Sequence, residues 1–398
     1  MIETVKLGDV ATVKGGKRLP KGTNLITTPN SHPYIRVRDL NNQSTLELND
    51  DFEYVDDETQ KSISRYIVEA GDIVLSIVGT IGLVAIIGES LHKANLTENC
   101  VKLTQLDGVD RDYLYYFLKS GLGQAEIAKG TVGAVQAKLP IKNIQDIDVV
   151  LPDISTQQKI SSILRSIDNK IDNNQKINDN LEQQAQSYFQ ELFVDKANPE
   201  WTTGTISDLG AVVGGSTPSK AKPEYYTESG IAWITPKDLS INKSKFISHG
   251  ENDITELGLK NSSAAIMPEG TVLFSSRAPI GYIAIAAGEV TTNQGFKSVV
   301  PKPEIGTPFV YFFLKHNLPF IEGMASGSTF KEVSGSTMKN IPAIIPDVET
   351  LARFNDFCTP IFAQQRILEE QSQSLAALRD NLLAKLMSGE IDVSDIQL

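Results

Sequence analysis

Cysteine is almost missing from this chain, and apolar runs long enough to cross a membrane are missing altogether. Cys100 and Cys358 lie far apart with no metal-ligand spacing around them. They are expected to be two reduced, buried thiols of a cytoplasmic protein. No stretch approaches the ~20 consecutive apolar residues of a membrane helix. The opening, MIETVKLGDVATVKGG, lacks the charged-then-apolar order of a secretory signal. The four histidines, His32, His92, His249 and His316, fall in no metal-binding or Ser/His/Asp pattern. Nucleotide motifs are absent too: there is no GxxxxGK[ST], no glycine-rich S-adenosylmethionine loop after a strand, and no Asn-Pro-Pro motif for a flipped base. The stretch GTVGAV, residues 130–135, lacks the required glycine spacing and reads as a loop. No catalytic residue, metal or cofactor is therefore expected in this chain.

A surplus of positive charge is also lacking, since the net charge is −12. Taken alone, that weighs against a nucleic-acid partner. The distribution is uneven, however. Residues 1–40 carry seven basic and three acidic side chains, residues 41–60 seven acids and no base, and residues 197–346 12 basic and 13 acidic groups.

What is present is a long internal repeat. Shifting the chain by 199 residues lays LGDVATVKGG (7–16) on ISDLGAVVGG (206–215), YIRVRDL (34–40) on WITPKDL (233–239), and EAGDIVLSIVGTIG (69–82) on PEGTVLFSSRAPIG (268–281). With small gaps, YYFLKS (115–120) meets YFFLKH (311–316), KNI (142–144) meets KNI (339–341), and LPD (151–153) meets IPD (345–347). A period this long implies two whole domains, not a solenoid of short units. Each copy mixes Val/Ile/Phe-rich strand runs that follow a glycine turn with an aromatic helix, over 111–122 or 307–318. The expected fold is α/β (α+β), in two pseudo-symmetric recognition domains.

A long helical pattern follows each copy. In the first, Ile160, Leu164, Ile167, Ile171, Asn174, Asn178, Leu181, Ala185, Tyr188 and Leu192 step by four and three. In the second, Phe354, Cys358, Ile361, Gln365, Leu368, Ser372, Leu375, Arg379, Leu382 and Leu386 do the same. That is the period of a coiled-coil seam, and each stripe is the only match for the other. A two-helix antiparallel coiled coil is expected. Polar seam positions would fix its register, although Arg379 could equally face a partner protein. The expected divisions are a first domain over 1–151, a helix over 152–196, a second domain over 197–345, a helix over 346–390 and a tail over 391–398.

The order of blocks resembles the specificity subunit of type I restriction–modification systems. The residues that carry the resemblance are LGDV…GG, E.GDIVLS…GTIG, LPD…QQKI at the first helix, and the closing LLAKLMSGEI. One departure is that the second helix begins IPDVETLARF, without a counterpart of Gln157–Gln158. The resemblance implies two target-recognition domains, each reading half of a split double-stranded DNA site. The helices would act as spacer and as docking surface for two methyltransferase subunits, which in turn recruit restriction subunits. S-adenosylmethionine, ATP and Mg would then belong to the partners.

Base edges specify a DNA sequence and phosphates position the reader, so polar and basic loop residues are the candidates. In the first domain these are Lys14, Lys17, Arg18 and Lys21 beside Gly15 and Gly16; Arg36 and Arg38, which would share a face if on a strand; and Thr131, Gln136 and Lys138. In the second they are Lys220, Lys222, Lys237, Arg277, Ser326, Ser328, Thr329 and Lys331. Tyr225 and Tyr226 are expected to pack in their loop, with stacking on a base as the other reading. A non-catalytic adaptor that binds proteins remains as the alternative to a DNA reader, favoured by the acidity of the chain.

Overall fold

The computed structural model describes residues 3–40, 44–133, 135–327, 331–393 and 396. The chain divides into two compact units. Unit 1 comprises Met1–Asn173 with Ser372–Leu398, and unit 2 comprises Asn174–Gln371.

Unit 1 contains strands β1 (Glu3–Lys6), β2 (Thr12–Gly15), β3 (Pro33–Ile35), β4 (Thr45–Leu46), β5 (Glu53–Tyr54), β6 (Ile73–Ser76), β7 (Val84–Ile87), β8 (Asn95–Leu96), β9 (Cys100–Thr104) and β10 (Asp148–Leu151). A five-stranded sheet has the order β2-β9-β6-β7-β4, a second sheet the order β5-β3-β8, and β1 pairs with β10. All pairs are antiparallel except β4 with β7 and β3 with β8.

Unit 2 contains β11 (Thr202–Thr205), β12 (Gly210–Gly214), β13 (Tyr226–Thr227), β14 (Ile231–Ile234), β15 (Phe246–Ile247), β16 (Asn252–Ile254), β17 (Val272–Ser276), β18 (Ile280–Ala286), β19 (Thr291–Thr292), β20 (Lys297–Pro301) and β21 (Pro342–Ile345). Its sheets have the orders β12-β20-β17-β18-β15 and β13-β16-β14-β19, plus the pair β11-β21. Again only two pairs are parallel, β15 with β18 and β14 with β19. Every strand of unit 1 thus has a counterpart, and β13 is an addition. The sequence repeat is a repeat of topology.

The reasons are local. Strands β6 and β17 are buried along their whole length, as continuous Val/Ile/Leu/Phe runs in the middle of a covered sheet should be. Each follows a glycine in the left-handed region, Gly71 at φ +86 and Gly270 at φ +83. The aromatic helices run over Arg111–Lys119 and Thr307–His316 and are buried without interruption over Tyr113–Leu118 and Pro308–Leu314. They form the centres of two separate cores.

The first long helix spans Ile154–Gln190 and continues as a π-helical turn, Glu191–Asp195; the second spans Val348–Met387. Asp153 and Asp347 accept hydrogen bonds from Thr156 N at 3.0 Å and Thr350 N at 2.8 Å, so the LPD and IPD motifs are N-caps. Gln157 is buried: its Oε1 accepts from Asp110 N and its Nε2 donates to Pro152 O, both at 2.8 Å. Its counterpart Leu351 is buried as well. Where the two helix starts differ at this position, they differ in core chemistry rather than in an exposed surface.

Within each unit a segment of one long helix packs antiparallel on a segment of the other. In unit 1, Ile160 and Leu164 share a core with Leu383, Leu386 and Met387, while Asp168 meets Arg379 at 2.8 Å and Tyr116 Oη at 2.6 Å. Arg379 is therefore engaged inside the unit. In unit 2, Tyr188 lies against Phe354, and Gln365 Nε2 donates to Asn178 O. The strict four-three stripe omits Phe189, Phe193 and Phe362, which the structure buries in the same core. A straight helix drifts off a seven-residue repeat, which turns these neighbours toward the sheet domain.

Unit 2 also buries an ion pair. Lys245 Nζ lies 2.8 Å from Glu182, donates to Gln365 Oε1 at 2.9 Å, and sits 3.4 Å from the ring centroid of Phe362. Lys315 and Tyr311 also donate to Glu182, at 2.6 and 3.1 Å. Burial pushes Lys245 down to about 8 against the pull of Glu182. Burial works against the Glu182 carboxylate too, but Lys245 and Lys315 outweigh it and hold it at about 2.

The geometry that positions the loops rests on one glycine in each unit. Gly16 N donates to Cys100 O at 3.0 Å, Lys17 N to Leu96 O at 2.8 Å and Thr97 N to Ile35 O at 3.1 Å. The same three ties recur in unit 2: Gly215 N to Phe296 O, Ser216 N to Thr292 O and Asn293 N to Ile234 O. A Cβ on Gly16 would lie 2.0 Å from Thr97 O, and one on Gly215 2.0 Å from Asn293 O. The motif's second glycine exists for this backbone approach.

Three outcomes are expected. Glu182→Gln strands the Lys245 ammonium and should cost ~3–5 kcal/mol in urea unfolding; a loss below about 1 kcal/mol would refute the pairing. The Glu182 value lies below the ordinary 4.5, so the unfolded state binds more protons there. Its stabilisation is present above about 4.5 and should fade as pH drops toward about 2, less so in the variant. Gly16→Ala should lower stability by about 1–3 kcal/mol. Gly121→Ala, with nothing within 4 Å of the added carbon, is the control in the same thermal melt.

Candidate nucleic-acid interface

In unit 1, four segments meet at one end of the five-stranded sheet. They are the loop after β2, the loop 97–99 between β8 and β9, the turn after β6, and the residues around the Val132–Lys138 bridge. Val132 and Lys138 exchange two 2.9 Å backbone hydrogen bonds, Leu139 N donates to Ile77 O, and Ile77 N donates to Asn99 O. Unit 2 repeats this. Ser326 and Glu332 pair across the corresponding loop, Val333 N donates to Ser276 O, and Ser276 N donates to Gly295 O. A buried serine pins each turn from within: Ser76 Oγ donates to Thr80 O at 2.6 Å and Ser275 Oγ to Pro279 O at 2.9 Å.

The candidates of unit 1 largely gather here. Lys14, Lys17, Arg18 and Lys21 are exposed on β2 and its following loop, and Lys17 Nζ lies over the Tyr66 ring. Arg18 Nε donates to Glu98 at 2.6 Å. Partial burial disfavours the Glu98 carboxylate, but the Arg18 hydrogen bond and the nearby N–H and hydroxyl donors outweigh it and lower its pKa. Gln136 and Lys138 are exposed, whereas the Thr131 hydroxyl is occupied, donating to Ile127 O at 2.8 Å.

Arg36 and Arg38 are not on a strand. β3 stops at Ile35 and residues Val37–Asp39 form a 3-10 turn. The turn closes because Asp39 accepts from Arg36 N at 2.7 Å, a side-chain bond that competes with the sheet ladder. The two guanidinium groups nevertheless converge, both pairing with Glu53. Burial raises the Asp39 carboxyl to about 6 despite Arg38. Arg18, Tyr34, Arg36, Arg38, Thr97 and Glu98 line a shallow pocket of about 350 Å³.

In unit 2, Lys220 and Lys222 are exposed on the loop after β12, Lys222 lying 3.8 Å from Glu224. Lys237 occupies the position of Arg38 and pairs with Glu251 at 2.6 Å. Arg277 and Lys297 both approach Glu332, at 3.5 and 3.4 Å. Arg277, Lys331 and Glu332 line an open cleft of about 620 Å³. Ser326 and Lys331 are exposed, while Ser328 and Thr329 lie outside the described residues. Tyr226 packs in its loop: its hydroxyl donates to Pro218 O at 2.6 Å and its ring meets Trp233 edge-on.

Several participants carry no charge and escaped the sequence reading. Tyr34 Oη donates to Lys17 O at 2.8 Å and Trp233 Nε1 to Ser216 O at 3.0 Å, so the aromatic that opens each YIRVRDL or WITPKDL block holds the glycine loop. Glu98, Gln294 and Lys297 were missed because the offset between the copies changes before β8 and β19. Glu98 then falls opposite Gln294, no longer at a shift of 199. Among the described residues no group of three or more His, Cys, Asp or Glu could hold a metal, and no helix is long and apolar enough to cross a membrane. Cys100 and Cys358 are buried free thiols, each pushed up to about 12 by burial.

The family of type I restriction modification DNA specificity domains matches residues 2–183 and again 198–387. The type I restriction enzyme MjaIX specificity subunit of Methanocaldococcus jannaschii is 40% identical over 191 residues, covering 46% of this chain and 44% of that protein. The chain thus spans under half the length of this archaeal relative. The HindI specificity subunit of Haemophilus influenzae is 24% identical over 329 residues, 64% of this chain and 71% of that protein. In fold, the chain is similar to a solved S subunit from M. genitalium, with a TM-score of 0.60 at 17% identity, covering 97% of this chain and 96% of that one. By its matches over residues 2–183 and 198–387 the chain belongs to the family of type I restriction modification DNA specificity domains, and it carries that domain twice.

Proposed function

We propose that the chain is the sequence-reading subunit of a type I restriction–modification complex. Its recognition domains, residues 1–151 and 197–345, each read one half of a bipartite double-stranded DNA target. The long helices serve as spacer and as docking surface for two methyltransferase subunits, through which restriction subunits join. Methyl transfer, ATP hydrolysis and their cofactors, S-adenosylmethionine, ATP and Mg, fall to those partners, and this subunit is non-catalytic.

The observation that carries the reading is a constant framework with variable loops. The same backbone ties hold the same loop ends in both units, while the exposed residues on those loops differ. That is what two readers of different half-sites require, because base-edge chemistry, not scaffold, selects sequence. The acidic net charge fits a subunit whose grip on phosphates is shared with partners. The adaptor reading has no feature of its own in its favour, since acidity is accommodated by the first.

The test is to co-express the chain with its methyltransferase partner, map adenine methylation in the host genome, and footprint the complex on its target. Two protected blocks separated by unread bases are expected, with affinity falling steeply as salt rises. One contiguous block, or no sequence preference, would overturn the reading. Arg277→Ala should reduce discrimination at one half-site by roughly 5- to 150-fold. Helix content and subunit assembly should stay intact, and unchanged specificity would refute the role of Arg277.

A further inference from the structure

The register of backbone bonds makes the two units comparable residue by residue at their loops. Tyr34 pairs with Asn95 as Trp233 pairs with Thr291, and Gly15 pairs with Val101 as Gly214 pairs with Lys297. The three residues between β8 and β9 therefore answer to those between β19 and β20: Thr97 to Asn293, Glu98 to Gln294, Asn99 to Gly295. On the facing loop, Lys17 answers to Ser216 and Arg18 to Thr217.

At this junction both units make a side-chain contact between equivalent positions, with different chemistry. In unit 1, Arg18 Nε donates to Glu98 Oε1 at 2.6 Å. In unit 2, the Thr217 hydroxyl donates to Gln294 Oε1. The frame around each contact is the same, down to the glycine that no side chain can replace and the aromatic that holds the next carbonyl. What changes is the group presented outward. The Arg18 side chain is 81% exposed and Glu98 is 29% exposed, so the carboxylate is anchored and orients a free guanidinium fork. In unit 2 Thr217 is half-buried and Gln294 is exposed. Here the hydroxyl holds the amide oxygen, and the amide faces out.

We propose that these two equivalent pairs, Arg18–Glu98 and Thr217–Gln294, are specificity-determining positions of the two recognition domains. The first is directed at a guanine and the second at an adenine. This rests on the DNA-reading function proposed above. The base assignment follows from donor and acceptor patterns. A guanidinium fork donates twice, matching guanine O6 and N7, while a carboxamide donates once and accepts once, matching adenine N7 and N6. The carboxylate beside Arg18 restricts its rotamers, so less freedom is lost when the fork engages a base. Neither pair is needed by the core, since Arg18 and Gln294 lie on the surface and every backbone tie at the junction is independent of their side chains.

The experiment exchanges the pairs in the full chain, assembled with its methyltransferase partner, and reads the methylated motif genome-wide. Arg18→Thr with Glu98→Gln should weaken the guanine preference at one position of one half-site by at least tenfold, in favour of adenine. The other half-site and the gap should not change. Thr217→Arg with Gln294→Glu should do the converse in the other half. Gln294→Glu alone, at an exposed site, serves where a double exchange fails to assemble, and should cost the adenine preference at that same position. Assembled variants that methylate the wild-type motif within twofold would overturn the assignment, as would changes in both half-sites or in the gap. A wild-type complex without sequence preference would instead overturn the DNA-reading function, and this assignment with it.

Discussion

The structure of each unit depends on a close approach between two stretches of main chain. Gly16 lies against the carbonyls of Leu96 and Thr97, and Gly215 against those of Thr292 and Asn293. Only a residue without a Cβ can enter such a gap, and once inside it donates its N–H to the strand beyond. Three loops are fixed by that contact: the one that leaves the glycine, the one that carries the opposing carbonyls, and the turn whose N–H reaches the next residue along. Because the ties are made by backbone groups and by framework side chains, Tyr34 and Trp233 among them, the exposed side chains on those loops are free to change without moving them. That separation lets one architecture present two different sets of exposed side chains.

Much of this was legible in the sequence, for a physical reason. Blocks that place backbone, such as the double glycine, the glycine before a buried strand and the Asp that caps a helix, tolerate few alternatives. They survive duplication and align. The two long helices declared themselves through apolar periodicity, since burying a stripe requires a partner stripe. The residues that were not legible sit where geometry overrides pattern. Arg36 and Arg38 read as strand neighbours because Val37 alternates with them, but the Asp39 carboxylate captures the Arg36 N–H and bends the chain into a turn. Glu98 and Gln294 were hidden by the shift in offset before their strands, and only the strand register restores the correspondence. The lysines of the loops were legible as loop residues beside the glycines, but their side-chain partners, such as the Tyr66 ring under Lys17, came only from the fold.

The two units solve the same packing problem with different chemistry where the long helices meet the domains. Unit 1 closes its buried polar site with Asp168, Arg379 and Tyr116. Unit 2 uses Glu182, Lys245, Lys315 and Tyr311. In both, a carboxylate from the first long helix is neutralised by a cation and a tyrosine hydroxyl from the opposing elements. A buried carboxylate of this kind is weak evidence for stability, because removing both partners can be harmless while removing one is costly. It is better understood as a register mark that penalises any other alignment of the segments in its unit.

Unit 2 is one unbroken stretch of polypeptide, residues 174–371, whereas unit 1 is assembled from two pieces separated by all of unit 2. The core of unit 1 includes Leu383, Leu386, Met387 and Val393. On a translating ribosome, every residue of the unit 2 core is therefore available before the last side chains of the unit 1 core have been synthesised. The amino-terminal half must wait, with Leu7, Tyr113 and Ile160 lacking part of their cover, until the carboxy-terminal residues arrive to close it.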